Sequence, residues 1–435
     1  MIFEPAFETM PRAELEALQL ERLQRLVAYL RERVGLYRDR LEGFPEIRSL
    51  DDLRRLPFTR KADLRDTYPY GLFAVPREKC VRLHASSGTT GKPIVVAYTS
   101  EDVDLFARVN ARVLAMAGAE PGMVLHNAYG YGLFTGGLGL HYGGERLGMT
   151  VVPVSGGMTE RQLGLIEDLR PDVITCTPSY ALTIAQAFAE RGVTPDEISL
   201  RFACVGAEPW TESMRAEIDA GLGIRATNIY GLSEIIGPGV SNECVEAREG
   251  SHVNEDHFLP EIVDPESGEP LPDGEQGVLV FTTLTKQAFP LLRYWTSDIT
   301  SLSREPCSCG RTLTRMALIA GRTDDMLIVR GVNVYPTQVE SVLLKVPELT
   351  PHYRLVVTRE RTLDEVEVEV EVSVGYFGST GGLGPAAMRP LGRRVEKLIR
   401  DTIGTSMRVT LLEPGEGPRS EGGKLARVDD RRRLA

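Results

Sequence analysis

Cysteine is scarce: six thiols spread over 435 residues are too few to staple a disulfide-built domain. The chain does not open with a basic start leading into an apolar stretch, so no secretory signal is expected. A cytoplasmic protein with reduced thiols is the expectation. No uninterrupted apolar run approaches the ~20 residues that span a bilayer, so no membrane partner is expected. Positive charge is short as well, with 50 Lys and Arg against 61 Asp and Glu, a formal net charge of -11. Without a clustered basic face, nucleic acid is not an expected partner either. What remains is 42% apolar and 26% charged residues, the balance of a folded globular chain. Its length exceeds one ordinary core and points to two or three domains.

Leu15, Leu18, Leu23, Leu26, Leu30 and Val34 recur at helical spacing, which predicts a helix over 14–41 with one core-facing stripe. From 81 to 229 short apolar runs alternate with amphipathic stretches. Val124-Leu125, Val173-Ile174-Thr175 and Phe202-Ala203-Cys204-Val205-Gly206 are examples of the runs, 102–117 and 159–169 of the stretches. That alternation predicts an α/β fold with largely parallel sheets. After Tyr230, runs at 257–263, 277–283 and 299–302 are joined by Pro, Gly and Asp turns and predict a β-rich subdomain over about 240–321. Gly321-Arg322-Thr323-Asp324-Asp325 is the best boundary, being polar, glycine-bearing and set between apolar segments. The expected organisation is therefore a large N-terminal domain over 1–321, a hinge at 322–325 and a small mobile α+β domain over 326–435. Within the last, glycine-rich 375–384 is expected as a loop.

The densest chemistry lies in Ser86-Ser87-Gly88-Thr89-Thr90-Gly91-Lys92-Pro93. Backbone N–H groups, hydroxyls and one ammonium there could converge on a polyphosphate. A polar turn between two strands is the plain alternative, and composition does not choose. The loop is not a Walker A motif, because the glycine spacing is too short and Pro93 stands where Ser or Thr belongs. It resembles the phosphate-binding signature of the adenylate-forming superfamily: acyl-CoA synthetases, peptide-synthetase adenylation domains and luciferases. Other motifs of that superfamily follow in order, namely Gly206-Ala207-Glu208-Pro209, Tyr230-Gly231-Leu232-Ser233-Glu234, Asp298, the 321–325 segment and a late Lys424. Any one is weak; six in sequence are strong. Over nearly its whole length the chain is similar to the phenylacetate–coenzyme A ligase family. That likeness runs through Leu56-Pro57-Phe58-Thr59, the run 127–137, Glu255-Asp256-His257-Phe258 and the stretch from Arg330 and Gly331 to Pro336.

The resemblance implies a ligase using ATP, Mg²⁺ and coenzyme A. A carboxylate attacks the α-phosphate of ATP, and the acyl-adenylate then passes its acyl group to a thiol. Residues Ser86, Ser87, Gly88, Thr89, Thr90, Gly91 and Lys92 would cradle phosphate. Glu234 would hold Mg²⁺ as a hard oxygen ligand. Lys424, a point charge on a flexible stem, would reach the α-phosphate and the acid together. Asp298 would accept from the ribose hydroxyls, with Arg322 a second nucleotide contact. Tyr230 and Gly231 would offer adenine a face, and Ala207, Glu208 and Pro209 an edge. Asp324 would be the hinge that brings Gly331 beside the incoming thiol.

Tyr131 and Phe134 read as flat apolar walls, and Gly136 and Gly137 as room for a ring. Such a pocket suits an aryl acid, phenylacetate first, better than a small polar one; the plain alternative is that this run only packs the sheet. Hydroxyphenylacetate-, benzoate- or indoleacetate-like acids remain alternatives, as does a carrier-protein thiol in place of coenzyme A. A non-catalytic nucleotide-binding regulator would need degenerate positions at Glu234 and Lys424, and both are intact. A homodimer is the assembly to test first. Separately, Cys244, His252, Cys307 and Cys309 make a tetrahedral donor set for a structural Zn²⁺, with His257 a competing ligand and free loop thiols the alternative. Cys80, Cys176 and Cys204 read as small core residues.

Overall fold

The computed structural model describes residues 1–85, 93–323, 327–329, 332–360, 363–419 and 427–432. Its centre is a nine-stranded sheet. Strands Arg225–Leu232, Phe202–Gly206, Val173–Cys176, Val124–Asn127 and Thr150–Val152 lie side by side and parallel. These strands are short and largely apolar because helices cover both of their faces, as parallel sheets require. Alternate residues serve opposite faces. Ile174, Cys176, Ala203 and Val205 meet the helices Thr159–Leu169, Pro178–Glu190 and Glu212–Leu222. Val173, Leu125 and Cys204 meet Ser100–Met116 and Gly136–Leu147.

The connections put the chain's reversal between Val124–Asn127 and Val173–Cys176. From the former the chain crosses by Gly136–Leu147 to the edge strand Thr150–Val152, then returns by Thr159–Leu169 on the other face to the latter. A crevice opens beyond the carboxyl ends of strands at such a switch point, where ligands of open α/β sheets bind.

The β-rich region does not form one separate unit. Gly237–Glu243, Ser251–Val253, Arg315–Met316 and Leu302–Ser303 extend the large sheet antiparallel from Arg225–Leu232. Phe258–Val263, Gly277–Thr283, Tyr294–Thr300 and Gly321–Arg322 instead form a second, antiparallel sheet. Turn spacing in the sequence marks strands but not the sheet each one joins.

The expected 14–41 helix is broken. It runs Arg12–Arg33, becomes extended at Val34 (φ -118°, ψ 116°) and resumes at Gly35–Arg40. Glycine at the restart is a poor helix interior residue. The break turns Tyr37 fully into the core, where its hydroxyl meets Thr59 Oγ1 at 2.7 Å and accepts from the Leu292 N–H at 3.2 Å.

Residues 327–432 build a further four-stranded sheet in the order Arg408–Leu412, Leu363–Val372, Leu349–Glu360, Val428–Asp430, covered by helices Pro336–Leu343 and Pro385–Ile403. In its Val-Glu alternation, Val366, Val368, Val370 and Val372 supply the core face. The glycine-rich stretch expected as a loop contains the helix Val374–Thr380. Ser373 accepts from the Tyr376 N–H at 3.2 Å to start it, and Gly381 at φ +66° ends it. Among the described residues no helix is long and apolar enough to cross a membrane.

Two helices on one face of the large sheet touch through glycine. A Cβ on Gly143 would lie 2.5 Å from the Asn110 Cβ and 2.7 Å from its backbone carbon. Gly143→Ala should therefore cost about 1–3 kcal/mol, measured by denaturant unfolding.

Candidate active site

The carboxyl ends of the parallel strands gather most of the described candidate residues. Gly206 ends its strand against Arg225–Leu232 so closely that a Cβ would sit 2.1 Å from the Ile229 carbonyl oxygen. Ala207 then turns at φ +72°, a conformation few non-glycine residues hold. The next side chain, Glu208, reaches to the N-terminus of Pro178–Glu190, where Oε1 accepts from the Ser179 N–H at 2.7 Å.

Tyr230 stands at the end of the neighbouring strand with its ring over Phe281, centroids 6.3 Å apart and planes 30° apart. Its hydroxyl donates to Asp298 Oδ2 at 2.5 Å. Burial, and then the adjacent Asp298 carboxylate, push the Tyr230 hydroxyl well above its ordinary range, so it stays a donor. Asp298 lies on the second sheet directly opposite Arg322, whose Nη1 donates to Oδ1 at 2.7 Å. Thr296 fixes the local backbone by accepting the Asp298 N–H at 3.0 Å, and Ser297 between them takes φ +70°.

Glu234 lies in the turn joining Arg225–Leu232 to Gly237–Glu243. Closure of that turn requires Gly231, where a Cβ would fall 2.0 Å from the Gly237 carbonyl oxygen. The Tyr98 hydroxyl donates to the Ile236 carbonyl at 2.8 Å and steadies it. Glu234 is 8% exposed and, among the described residues, enters no ion pair. A buried carboxylate with free oxygens fits a hard divalent cation.

At the switch point Asn127, which opens the 127–137 run, is a hydrogen-bonding hub, a role the sequence does not assign it. It accepts from Thr175 Oγ1 at 2.9 Å and donates to the Tyr131 hydroxyl at 2.7 Å and the Gly137 carbonyl at 2.8 Å. Tyr131 continues to His141 Nδ1 at 3.2 Å, and His141 Nε2 lies 3.1 Å from Glu145. Burial pushes the Tyr131 hydroxyl up to about 12. Tyr131 and Phe134 are half-buried, as walls of a site would be. The two glycines serve differently from the expectation. A Cβ on Gly136 would strike the Phe134 ring at 2.6 Å, and one on Gly137 the Gly130 carbonyl oxygen at 2.6 Å. Their smallness is used by the chain's own packing rather than left for a ring.

Ser86, Ser87, Gly88, Thr89, Thr90, Gly91, Lys92, Asp324, Gly331 and Lys424 lie outside the described residues. Both flanks of 420–426 are described, and both are tied to the C-terminal sheet. Glu371 accepts from the Gly417 N–H at 2.8 Å and from Arg419 Nη2 at 2.7 Å. Burial alone would raise the Glu371 carboxyl, but Arg419 and Gly417 outweigh it and hold it below the usual range. On the other side the Arg427 guanidinium lies 4.5 Å from the Tyr353 ring centroid, and the Arg427 carbonyl accepts from the Leu355 N–H at 2.7 Å.

A second cluster lies away from these strand ends. Cys244, His252, Cys307 and Cys309 place one donor atom each within 4.8 Å of one another. Cys244 and Cys307 sulfurs are 3.6 Å apart, and Cys309 Sγ is 3.4 Å from His252 Nε2. A disulfide would need ~2 Å, whereas the edges of a tetrahedron with ~2.3 Å zinc–sulfur bonds are ~3.5–3.8 Å. His257 takes no part; its Nδ1 pairs with Thr285 Oγ1 at 2.8 Å. Cys176 and Cys204 are core residues, but Cys80 is half-exposed, against the expectation.

Residues 60–285 match the family model for AMP-binding enzymes and 331–432 that for the AMP-binding enzyme C-terminal domain. The chain is 63% identical to the phenylacetate-coenzyme A ligase of Thermus thermophilus, with 100% of each chain covered. It is 49% identical to that of Escherichia coli, covering 98% of this chain and 97% of the relative. A crystal structure of 2-hydroxyisobutyryl-CoA ligase in its postadenylation state, in complex with R3-HIB-AMP, superposes with TM-score 0.90 at 27% identity, over 98% of this chain and 91% of that one. The thioesterification state of the same enzyme, with 2-HIB-AMP and CoA, gives 0.72 at 28% identity, over 99% and 92%.

Removing the tether ahead of 420–426 has a local signature. Glu371→Ala should lower stability by about 1–3 kcal/mol. It should also speed amide exchange at Gly417 more than in the strand cores, read by hydrogen-exchange mass spectrometry.

Proposed function

This chain belongs to the phenylacetate–coenzyme A ligase family of AMP-binding enzymes, and from that premise we propose that it joins phenylacetate to coenzyme A while cleaving ATP to AMP and diphosphate. The observation that carries the proposal is the convergence of Tyr230, Asp298 and Arg322 beside the Glu234 turn, at the carboxyl ends of a parallel sheet.

In the first half-reaction a carboxylate oxygen of the acid attacks the α-phosphorus. An oxygen–phosphorus bond forms, the bond to the β-phosphate breaks, and diphosphate leaves. Tyr230 and Asp298 orient the nucleoside, the Asp298 oxygens accepting from ribose hydroxyls. The Ala207–Pro209 backbone lies along the base, and residues 86–92 receive the phosphates. Glu234 is the ligand for Mg²⁺, which when bound supplies charge neutralisation to the leaving phosphates. Lys424 stabilises the negative charge that develops between acid and α-phosphate. In the second half-reaction the thiol sulfur attacks the acyl carbon, the bond to AMP oxygen breaks, and AMP departs.

One site can serve both steps if the C-terminal sheet swings about Asp324, carrying Lys424 out and Gly331 in. The unequal superposition on the two states of the 2-hydroxyisobutyryl-CoA ligase supports a swing and an arrangement here nearer the postadenylation one. The half-buried aromatics Tyr131 and Phe134 support an aryl acid. A cytoplasmic homodimer is the working form to be tested by light scattering.

Purified enzyme should release AMP only with ATP, an aryl acid and free coenzyme A together, with phenylacetate preferred in a panel including benzoate, hydroxyphenylacetate and indoleacetate. Transfer to a carrier-protein thiol but not to coenzyme A would overturn the acceptor. Lys424→Ala should slow adenylate formation by about a hundredfold or more while sparing thioesterification of supplied phenylacetyl-adenylate; retained adenylation would remove that lysine from the mechanism.

The thiol cluster completes the cofactor assignment. We propose that Cys244, His252, Cys307 and Cys309 bind one structural Zn²⁺, pinning the 307–309 loop to the edge of the large sheet. Protein purified without chelator should carry about one zinc per chain, and Cys309→Ser should lose it together with thermal stability. Less than about a tenth of an equivalent in the parent protein would end the idea.

A further inference from the structure

Lys286 is a lysine among apolar neighbours, in the loop that follows strand Gly277–Thr283. Its side chain is 2% exposed, and Nζ has no hydrogen-bond acceptor among the described residues. It lies 4.8 Å from the Tyr98 ring centroid and 5.4 Å from that of Phe289. The loop's path is fixed independently of the ammonium. Both Asp102 oxygens accept from backbone, Oδ1 from the Gln287 N–H at 2.7 Å and Oδ2 from the Ala288 N–H at 2.8 Å and the Thr99 N–H at 3.0 Å. On the other side, the Leu284 N–H donates to the His257 carbonyl at 2.8 Å.

Ring quadrupoles alone leave the three N–H donors of an ammonium unsatisfied, and a buried charge without acceptors costs several kcal/mol. The position of Lys286 says what the missing partner is. Tyr98, on which it rests, donates to the Ile236 carbonyl in the Glu234 turn, and the ring of His84 lies 5.4 Å away, edge-on to Tyr98. His84 stands two residues before Ser86, and the Glu234 carboxylate acts on the ammonium electrostatically, so Tyr98 joins Lys286, His84 and the Glu234 turn in one neighbourhood. His84 is not an alternative cation. Its Nδ1 faces the Leu133 carbonyl at 3.0 Å, and burial lowers its basicity, so the neutral ring presents a lone pair at Nε2. Burial also lowers Lys286, to about 8, with Asp102 and Glu234 opposing, which leaves it charged at neutral pH.

We infer that Lys286 is a substrate-binding residue whose ammonium takes oxygens of the β,γ-diphosphate half of ATP, and of the diphosphate product, on the side of the site opened by Glu234. The inference rests on the ligase assignment above. AMP lacks those oxygens, so Lys286 contributes to the first half-reaction and not to the second.

The test uses the full-length enzyme with ATP, Mg²⁺–diphosphate, AMP and preformed phenylacetyl-adenylate. Lys286→Met removes the charge at similar length. It should weaken Mg²⁺–diphosphate binding, and raise KM for ATP in phenylacetate-dependent ATP–diphosphate exchange, by about tenfold or more. AMP binding by calorimetry and coenzyme A-dependent turnover of the supplied adenylate should stay within about twofold, and Lys286→Arg should recover part of the diphosphate affinity. If Lys286→Met does not fold, Lys286→Gln must show the same split. Equal losses for AMP and diphosphate, or unchanged diphosphate binding, would overturn the inference and leave Lys286 a structural charge. Absence of phenylacetate-dependent exchange in the parent enzyme would instead strike the ligase assignment itself.

Discussion

The Asp298 carboxylate is where the two sheets of the larger part are held to one another. Tyr230 comes to it from the nine-stranded sheet, while Asp298 and its cross-strand neighbour Arg322 both belong to the second sheet. A carboxylate so nearly buried is tolerated because each oxygen has a donor and one donor is a cation. If Asp298 accepts from a nucleoside as proposed, the joint between the two sheets and the nucleotide contact would be one side chain.

How far the sequence reveals this depends on the range of the interactions. Strand–helix alternation is legible because period 2 and period 3.6 are local properties, and the strand Phe202–Gly206 and helix Thr159–Leu169 stand where the pattern puts them. The break at Val34 is not legible from the leucine stripe, since its cause is a distant pocket for Tyr37. Nor is the division of the 240–321 strands between two sheets, which is settled by pairing partners rather than by the strands' own residues. Asp298 and Arg322 sit 24 residues apart and meet only because an antiparallel register aligns them. The sequence marks Asn127 only as the first residue of the 127–137 run and Glu371 not at all, because a buried polar side chain that holds backbone looks, in sequence, like any other polar residue. The cysteine–histidine set is the exception: its residue types are rare enough to be picked out before the sheet closes the 63 residues between Cys244 and Cys307.

Charge poses a problem that the fold answers locally. A chain of net charge -11 must receive polyanions. The candidate residues gather at strand ends, where backbone donors and a few shielded cations would act in a low dielectric, rather than on a basic surface. Lys286 is the clearest case, an ammonium kept out of water beside aromatic rings in a predominantly acidic protein.

The hook at Tyr37 also governs when the chain can finish assembling. Its hydroxyl receives the N–H of Leu292, 255 residues later, and Gln19 and Arg12 likewise wait for Glu255. Emerging from a ribosome at ~5–20 residues per second, the first forty residues would spend roughly 10–50 s without their partners. For that interval the leucine face of Arg12–Arg33 is exposed on the nascent chain, a natural client for a holding chaperone.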